Sequence, residues 1–374
     1  MVDNNTTTSS KNEEWISDSQ IYFIGTYIIQ FSVKVPIRIF GLITNMLALL
    51  TFRKSGLRDG ISVCFMALTL SDKLSLLANT LANLVGYFDL ELHIKPYISL
   101  YYVSYIFPFY GLMFYNISTM ITVFLAIQKC CCISLPWNFK SYFSKRRCIA
   151  AVCGINFVCC ILNIPFTATA FPFVEAFDST TNSTRLTFAW TKAYRFDVFP
   201  VLKAINYISI PFIAEILVLI STVILATKLK ESVKFRDSVS GKTFLTRSSK
   251  SDNISSSLRT QLNSPQASNI KIYSGKNVAA QPMSTKELRA TQAVNVVAIL
   301  FVATNSPDVI VYMASLLFPQ FSSQGFYHNT FRLCIELQDL LHVLNLSVNL
   351  FIYLKFNTKF YKTFKALFLP CFSN

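Results

Sequence analysis

Charge is scarce in this chain. Asp, Glu, Lys and Arg supply only 14% of its 374 residues, where an ordinary soluble domain carries about a quarter. With 52% hydrophobic residues and a mean hydropathy of +0.44, the composition excludes such a domain. Cysteine is missing from a long stretch, with none between residues 161 and 333, so no disulfide can staple that region. The ten cysteines fall mostly in apolar segments or beside them, crowding at Cys130, Cys131, Cys132 and Cys148. No Cys-x-x-Cys or His spacing accompanies them, so small apolar filler is a better reading than a metal centre. No internal repeat or heptad array is present, which argues against an inverted-repeat transporter or a channel. A signal-peptide pattern is lacking too. The first 20 residues are polar and the first apolar run is too long for a signal core, so that run is expected to act as an anchor itself.

What is present is a series of long apolar segments. Windows of about 19 residues place seven of them at roughly 21–52, 61–88, 97–127, 148–172, 204–227, 290–318 and 333–354. Each is long enough to cross a bilayer as a helix. The expected fold is therefore an all-α membrane protein, a bundle of seven transmembrane helices. Basic residues set its orientation, because Lys and Arg in short flanking loops favour the cytoplasmic side. Lys129, Lys140, Lys145, Arg146 and Arg147 follow the third segment without an acid among them, and Lys355, Lys359, Lys362 and Lys365 follow the seventh. The tail, residues 1–20, carries Asp3, Glu13, Glu14 and Asp18 against Lys11. It is expected outside the cell, in a multi-pass protein of the plasma membrane. The net charge of +15 then reads as a topology signal and an attraction to anionic inner-leaflet lipid, with no need for a nucleic-acid partner.

Sequons at Asn4 and Asn5 in the tail, and at Asn182 after the fourth segment, lie outside on this topology and are candidate glycosylation sites. The sequon at Asn116 is inside the third segment and is not expected to be modified. Residues 228–286 are rich in Ser, Thr, Lys and Asn and lose all apolar periodicity. They read as a disordered third cytoplasmic loop within a 21–354 domain. Serines 248, 249, 251 and 255–257 lie near Arg247 and Lys250, which suits kinases, against the plain alternative of a solvated linker. Residues 355–374 form the cytoplasmic end. There Phe356, Phe360, Phe364, Leu367 and Phe368 alternate with Lys359, Lys362 and Lys365, as in a short amphipathic helix lying on the membrane.

Polar residues inside apolar spans are expensive and usually turn inward. Asn45 lies in the first span, Asp72 in the second, Ser118 in the third, and Asn345, Ser347, Asn349 and Tyr353 in the seventh. A carboxylate at that depth needs partners, a cation or a proton. Lys73, its neighbour, must snorkel or pair.

In this order the motifs resemble those of the rhodopsin-like (class A) G-protein-coupled receptors, over residues 21–368. Asn45 matches the signature Asn of the first helix, and Leu68, Ser71 and Asp72 match the Leu-x-x-x-Asp pattern of the second. Leu125, Ala126 and Ile127 precede the slot of the acid-Arg-Tyr triplet, with Pro136 after it. Pro211 and Pro307 sit where the fifth and sixth helices carry prolines, and Asn349 to Tyr353 matches Asn-Pro-x-x-Tyr with Leu350 in place of the proline. The resemblance implies a receptor rather than an enzyme. It binds an extracellular ligand and activates a heterotrimeric G protein, with arrestin and kinases as further partners at the third cytoplasmic loop. It also implies an amphipathic eighth helix, a palmitoylated Cys371, and a sodium pocket lined by Asp72, Ser118, Asn345 and Asn349. Oxygen donors of those types suit a small hard cation, and a protonated or water-bridged Asp72 is the alternative.

The departures matter as much. Gln128, Lys129 and Cys130 replace the triplet, and Lys lacks the planar fork of Arg. Glu287 is the expected resting partner of Lys129, against two solvated charges worth under about 1 kcal/mol. Asn305 stands where the family has Trp, two residues before Pro307, while Phe301 keeps the aromatic a turn earlier. Pro307 is expected to kink the sixth helix as a hinge. Ser104 replaces the disulfide cysteine of the third helix. Gly111 occupies the position of the amine-binding Asp, which argues against amine recognition, and Val343 that of the retinal Lys, which excludes light detection.

Candidate ligand contacts are the charged and polar groups of the outer half: Lys34 and Arg38, Asp308 and Tyr312, and Glu336, Asp339 and His342. Internal pairing of Lys34 or Arg38 with Asp339 is the alternative for those residues. Asp308 has no evident partner and is the leading contact. A peptide is the first expectation for the ligand and an environmental small molecule, detected by a chemosensory receptor, the second. A decoy or scaffold that never drives nucleotide exchange is the reading of a different class.

Overall fold

A chain segment in hydrocarbon can satisfy its backbone polar groups only within itself, so long apolar runs are driven to helix. The computed structural model describes residues 16–57, 59–91, 100–134, 143–169, 173–178, 182–188, 191–192, 194–249 and 285–369. Seven helices among them are long and apolar enough to cross a membrane: Asp18–Ser55, Gly60–Phe88, Val103–Ile133, Lys145–Phe166, Phe196–Lys228, Leu288–Leu317 and His328–Phe356. They coincide with the seven segments read from hydropathy, as a multi-pass membrane protein requires.

The third span lies at the centre, against the second, fourth, fifth and sixth. The first packs on the second and seventh, the seventh on the sixth, and the sixth on the fifth, while the fourth packs on the second and third and meets the start of the fifth. A core of Phe52, Leu68, Ile117, Leu125, Val297 and Tyr353 joins these helices from inside. Their outer faces are apolar as well. Ile39, Phe40 and Ile43 on the first span, Phe157 and Ile164 on the fourth, and Ile213, Ile220 and Val223 on the fifth are all exposed. In water such faces would be polar, so this surface suits a lipid solvent.

Three details depart from the expected pattern. Residues Phe23–Lys34 of the first span, and Ala204–Ser209 of the fifth, wind as π-helix, a form that usually occurs as single-turn bulges. Beyond the fifth span the helix continues to Ser249, past the expected start of the third cytoplasmic loop at 228. Residues 250–284 of that loop lie outside the described residues. An antiparallel hairpin, β1 (Phe173–Asp178) and β2 (Ser183–Phe188), follows the fourth span in register Phe173 to Phe188 and Asp178 to Ser183. It corrects a purely helical reading. The β-branched and aromatic residues of the two strands favour extended backbone, and Asn182, at φ 48°, takes the left-handed turn that Asn tolerates.

The seventh span is broken. Its first helix ends at Ser347, Val348 departs from helical geometry at φ −100° and ψ −6°, and a new helix begins at Asn349. A further helix, Thr358–Phe368, then turns away, started by Asn357, whose side chain accepts from the Phe360 N–H at 3.0 Å. It buries Phe360 against Phe52 and Tyr353 and leaves Lys359 and Lys362 exposed. Arg289 donates to Thr358 at 2.8 Å and Lys359 to the Ser55 carbonyl.

Candidate functional site

A cavity of about 350 Å³ opens in the half of the bundle that holds the N-terminal end of the first span. Six of the seven spans line it. Second-span Ser75, Leu76 and Asn79 face Gly111 and Tyr115 of the third, with Asp308 and Tyr312 from the sixth and Asp339 and His342 from the seventh. Gly111 is held there by geometry. A Cβ at that position would stand 2.4 Å from the Asn79 Nδ2, and its carbonyl accepts from Ser75 Oγ at 2.8 Å. A side chain at that position would have to displace Asn79.

Charge is unevenly settled around this cavity. Lys34, only 1% exposed, donates to Glu336 at 2.6 Å and reaches Asp339 at 3.5 Å. The pairing expected for Lys34 or Arg38 therefore falls to Lys34, with Glu336 as its nearer acid, and Lys34 is a structural tie between the first and seventh spans. Arg38 also lines the cavity and is 5% exposed, yet its Nε and Nη1 have no hydrogen-bond partner. Asp308 is equally buried and makes no hydrogen bond or ion pair among the described residues. Tyr312 packs its ring on Tyr207 and Phe331.

A polar chain crosses the bundle beside the cavity. Tyr115 donates to the Asn305 side-chain oxygen and stacks on His342 with ring centres 4.5 Å apart, so the third, sixth and seventh spans meet at one tyrosine. Asn305 also donates to the Phe301 carbonyl at 2.8 Å. The position that carries Trp in the resemblance is here a hydrogen-bonded link. Gln338 of the seventh span donates to the Pro307 carbonyl at 2.9 Å, and Ser306 donates to Glu215 of the fifth at 2.6 Å.

One helical turn from Ser75 lies Asp72, fully buried. Ser118 Oγ donates to its Oδ1 at 2.5 Å, and Asn349 Nδ2 to its Oδ2 at 2.7 Å. Of the expected polar core, these three come together. Asn345 is half-buried and makes no hydrogen bond among the described residues. Asn45 is a correction: it donates to the backbone carbonyls of Gly41 and Leu346, both at 2.8 Å. With Thr44, which donates to the Ser347 carbonyl at 3.0 Å, it satisfies the turn that the break in the seventh span leaves open. Asn349 Oδ1 is buried without a partner. Asp72 and Ser118 oxygens with that orphaned amide oxygen fit a sodium ion by type. Lys73 lies apart, its Nζ 3.2 Å from Met46 Sδ on the first span.

Toward the other end of the bundle, Tyr353 is buried among Phe52, Phe65 and Phe360, and its hydroxyl accepts from Thr69 at 3.3 Å. Lys129 is only 2% exposed, which sets aside the picture of a solvated charge. The side chain of Glu287, its expected partner, lies outside the described residues, as do Asn4, Asn5 and Cys371. Gln128 donates to the Cys148 thiol at 3.5 Å. Asn182 is exposed at the hairpin turn, whereas Asn116 is buried and donates to Asn206 at 2.8 Å, so its sequon is closed to modification. The nine cysteines among the described residues are all free thiols.

Several lining residues escaped the sequence reading: Asn79, Tyr115, Asn206 and Gln338, together with Glu215 behind them. The signal that found Asp72, a polar group within an apolar span, applies to most of them. Tyr115 is the exception, because one tyrosine among the 17 of this chain does not stand out as an amide or a carboxylate does. No protein-family model matches this chain, and no curated protein matches it either.

Proposed function

We propose that this chain is a receptor of the rhodopsin-like kind, which takes an extracellular ligand into the cavity and passes a bundle rearrangement to a heterotrimeric G protein at the cytoplasmic end. One observation carries the reading: the cavity and the buried Asp72 core are adjoining parts of one polar interior, a single helical turn apart on the second span. A change at Asp308 or Tyr115 therefore has a short path to Asn349 and Tyr353. In this reading the N-terminal tail is outside, the helix Thr358–Phe368 lies on the inner leaflet, and no covalent catalysis occurs. Asp72, Ser118 and Asn349 would hold a sodium ion in the resting state. A cavity of about 350 Å³ is within the usual size of small-ligand sites. It takes the end of a peptide or a small molecule.

The test is a screen of peptide and small-molecule libraries on surface-expressed protein, read through a promiscuous G protein. The expected result is an agonist whose response Asp308→Ala abolishes while surface expression persists. Unchanged potency in that variant would remove Asp308 from the ligand site. The altered triplet with its buried Lys129 favours one second reading, a decoy that binds without driving exchange. A silent wild type beside a Lys129→Arg variant that gains exchange would establish it.

A further inference from the structure

We infer that the cavity is built to receive a carboxylate on its ligand, with Arg38 as the receiving group. The inference rests on reading the cavity as a ligand site, but not on coupling to a G protein. A guanidinium stays charged in any protein environment and presents five donors in one plane. Burying it without acceptors is costly, and proteins normally arrange a partner. Here two acids are near at hand, Glu336 and Asp339, and both are bonded to Lys34, one helical turn earlier on the same face. Arg38 makes no hydrogen bond or ion pair among the described residues, is 5% exposed, and lines the cavity. Its Nε and Nη1 are buried and unmet, so the guanidinium lacks acceptors that a carboxylate supplies through charge-assisted bonds. Lys203, also on the cavity wall, adds a second cation without a partner among the described residues. Asp308 supplies an unpaired carboxylate in the same space. A ligand end that bears a carboxylate, with a basic group within reach of Asp308, compensates both.

The same chemistry has two sources, a small organic acid or the C-terminus of a peptide. Purified full-length protein is melted in nanodiscs with N-acetyl amino acids and with free-acid tripeptides, each beside its C-terminal amide. Without ligand, Arg38→Met is expected to melt above wild type, because it removes a buried cation whose N–H donors find no acceptor. A lower melting temperature would make Arg38 a structural residue and overturn the proposal. With ligand, at least one free acid is expected to raise the wild-type melting temperature by about 2 °C or more. Its amide should not, the shift should vanish in Arg38→Met, and Arg38→Lys should keep part of it. Equal shifts with amides, a shift that survives Arg38→Met, or no free acid that stabilises the protein would each refute the assignment. Whether the stabilising acids are tripeptides or single amino acids identifies the source. A carboxylate-dependent shift without nucleotide exchange would sink the receptor reading alone. Exchange driven by a neutral ligand and indifferent to Arg38→Met would sink this one alone.

Discussion

Lys34 and Arg38 stand a turn apart on the first span, near the same two acids, and differ in what they touch. The ammonium of Lys34 is inside, with its side chain 2% exposed, while those of Glu336 and Asp339 remain 34% and 52% exposed. That asymmetry sets the cost of breaking the pair. Removing the cation leaves two carboxylates that water or headgroups can still reach, so the penalty falls below that of a fully buried ion. Charge-assisted hydrogen bonds contribute about 1.5–3 kcal/mol, and Lys34→Met is expected to destabilise the protein by an amount in that range. Thermal unfolding in nanodiscs measures it. Glu336→Gln should cost less, because Lys34 keeps Asp339. A Lys34→Met protein that melts with wild type would show that the first and seventh spans do not depend on this tie. The two cations were equivalent in the sequence, since spacing along one helix does not tell which of them a neighbouring helix will meet.

At the scale of the element, the seventh span breaks just before the position where the resemblance places a proline, which this chain lacks. Leu350 is helical, and the interruption falls two residues earlier, at Val348. A broken turn frees carbonyls, and in an apolar interior each must find a donor. Asn45 and Thr44 supply them from the first span. The two helices approach closely enough for this because residue 41 is glycine: a Cβ there would lie 2.3 Å from Ser347 Oγ and 2.8 Å from Leu76 Cδ1. Two variants test the seam. Asn45→Ala leaves the buried Leu346 carbonyl without its donor and should cost about 1–3 kcal/mol. Gly41→Ala overpacks the crossing and should cost about 1–3 kcal/mol. Because both loosen the same contact, the double variant is expected to lose less than the sum, and additive losses in a melting series would show two independent sites. Asn45 was legible as an inward polar residue, but its partner was not, because a helix break without proline leaves no mark in the sequence.

For the whole molecule, the seven spans were legible because apolar run length belongs to the chain alone. Asp72, Ser118 and Asn349 were legible because hydrocarbon makes polar groups conspicuous. What escaped depends on helix rotation and on contacts between distant segments: Arg38 left unpaired, Asn305 joined to Tyr115, the Phe173–Phe188 hairpin. Asp72 lies between the cavity and the buried Tyr353, so its state bears on every neighbour. The proposed sodium ion gives that position a direct test. Asp72→Asn keeps the shape of the side chain and removes its charge. Ser118 can still donate to the remaining oxygen, and the orphaned Oδ1 of Asn349 can accept from the new amide after a flip of its own. The variant is therefore expected to fold and to melt no lower than wild type in sodium-free buffer. Wild type should melt higher in sodium chloride than in choline chloride of equal strength, by about 1–3 kcal/mol of ligand stabilisation at saturating ion, and the variant should show no difference between the two salts. A sodium effect that survives Asp72→Asn would place the ion elsewhere. Its absence in wild type would leave Asp72 as a purely structural hub, held by Ser118 and Asn349.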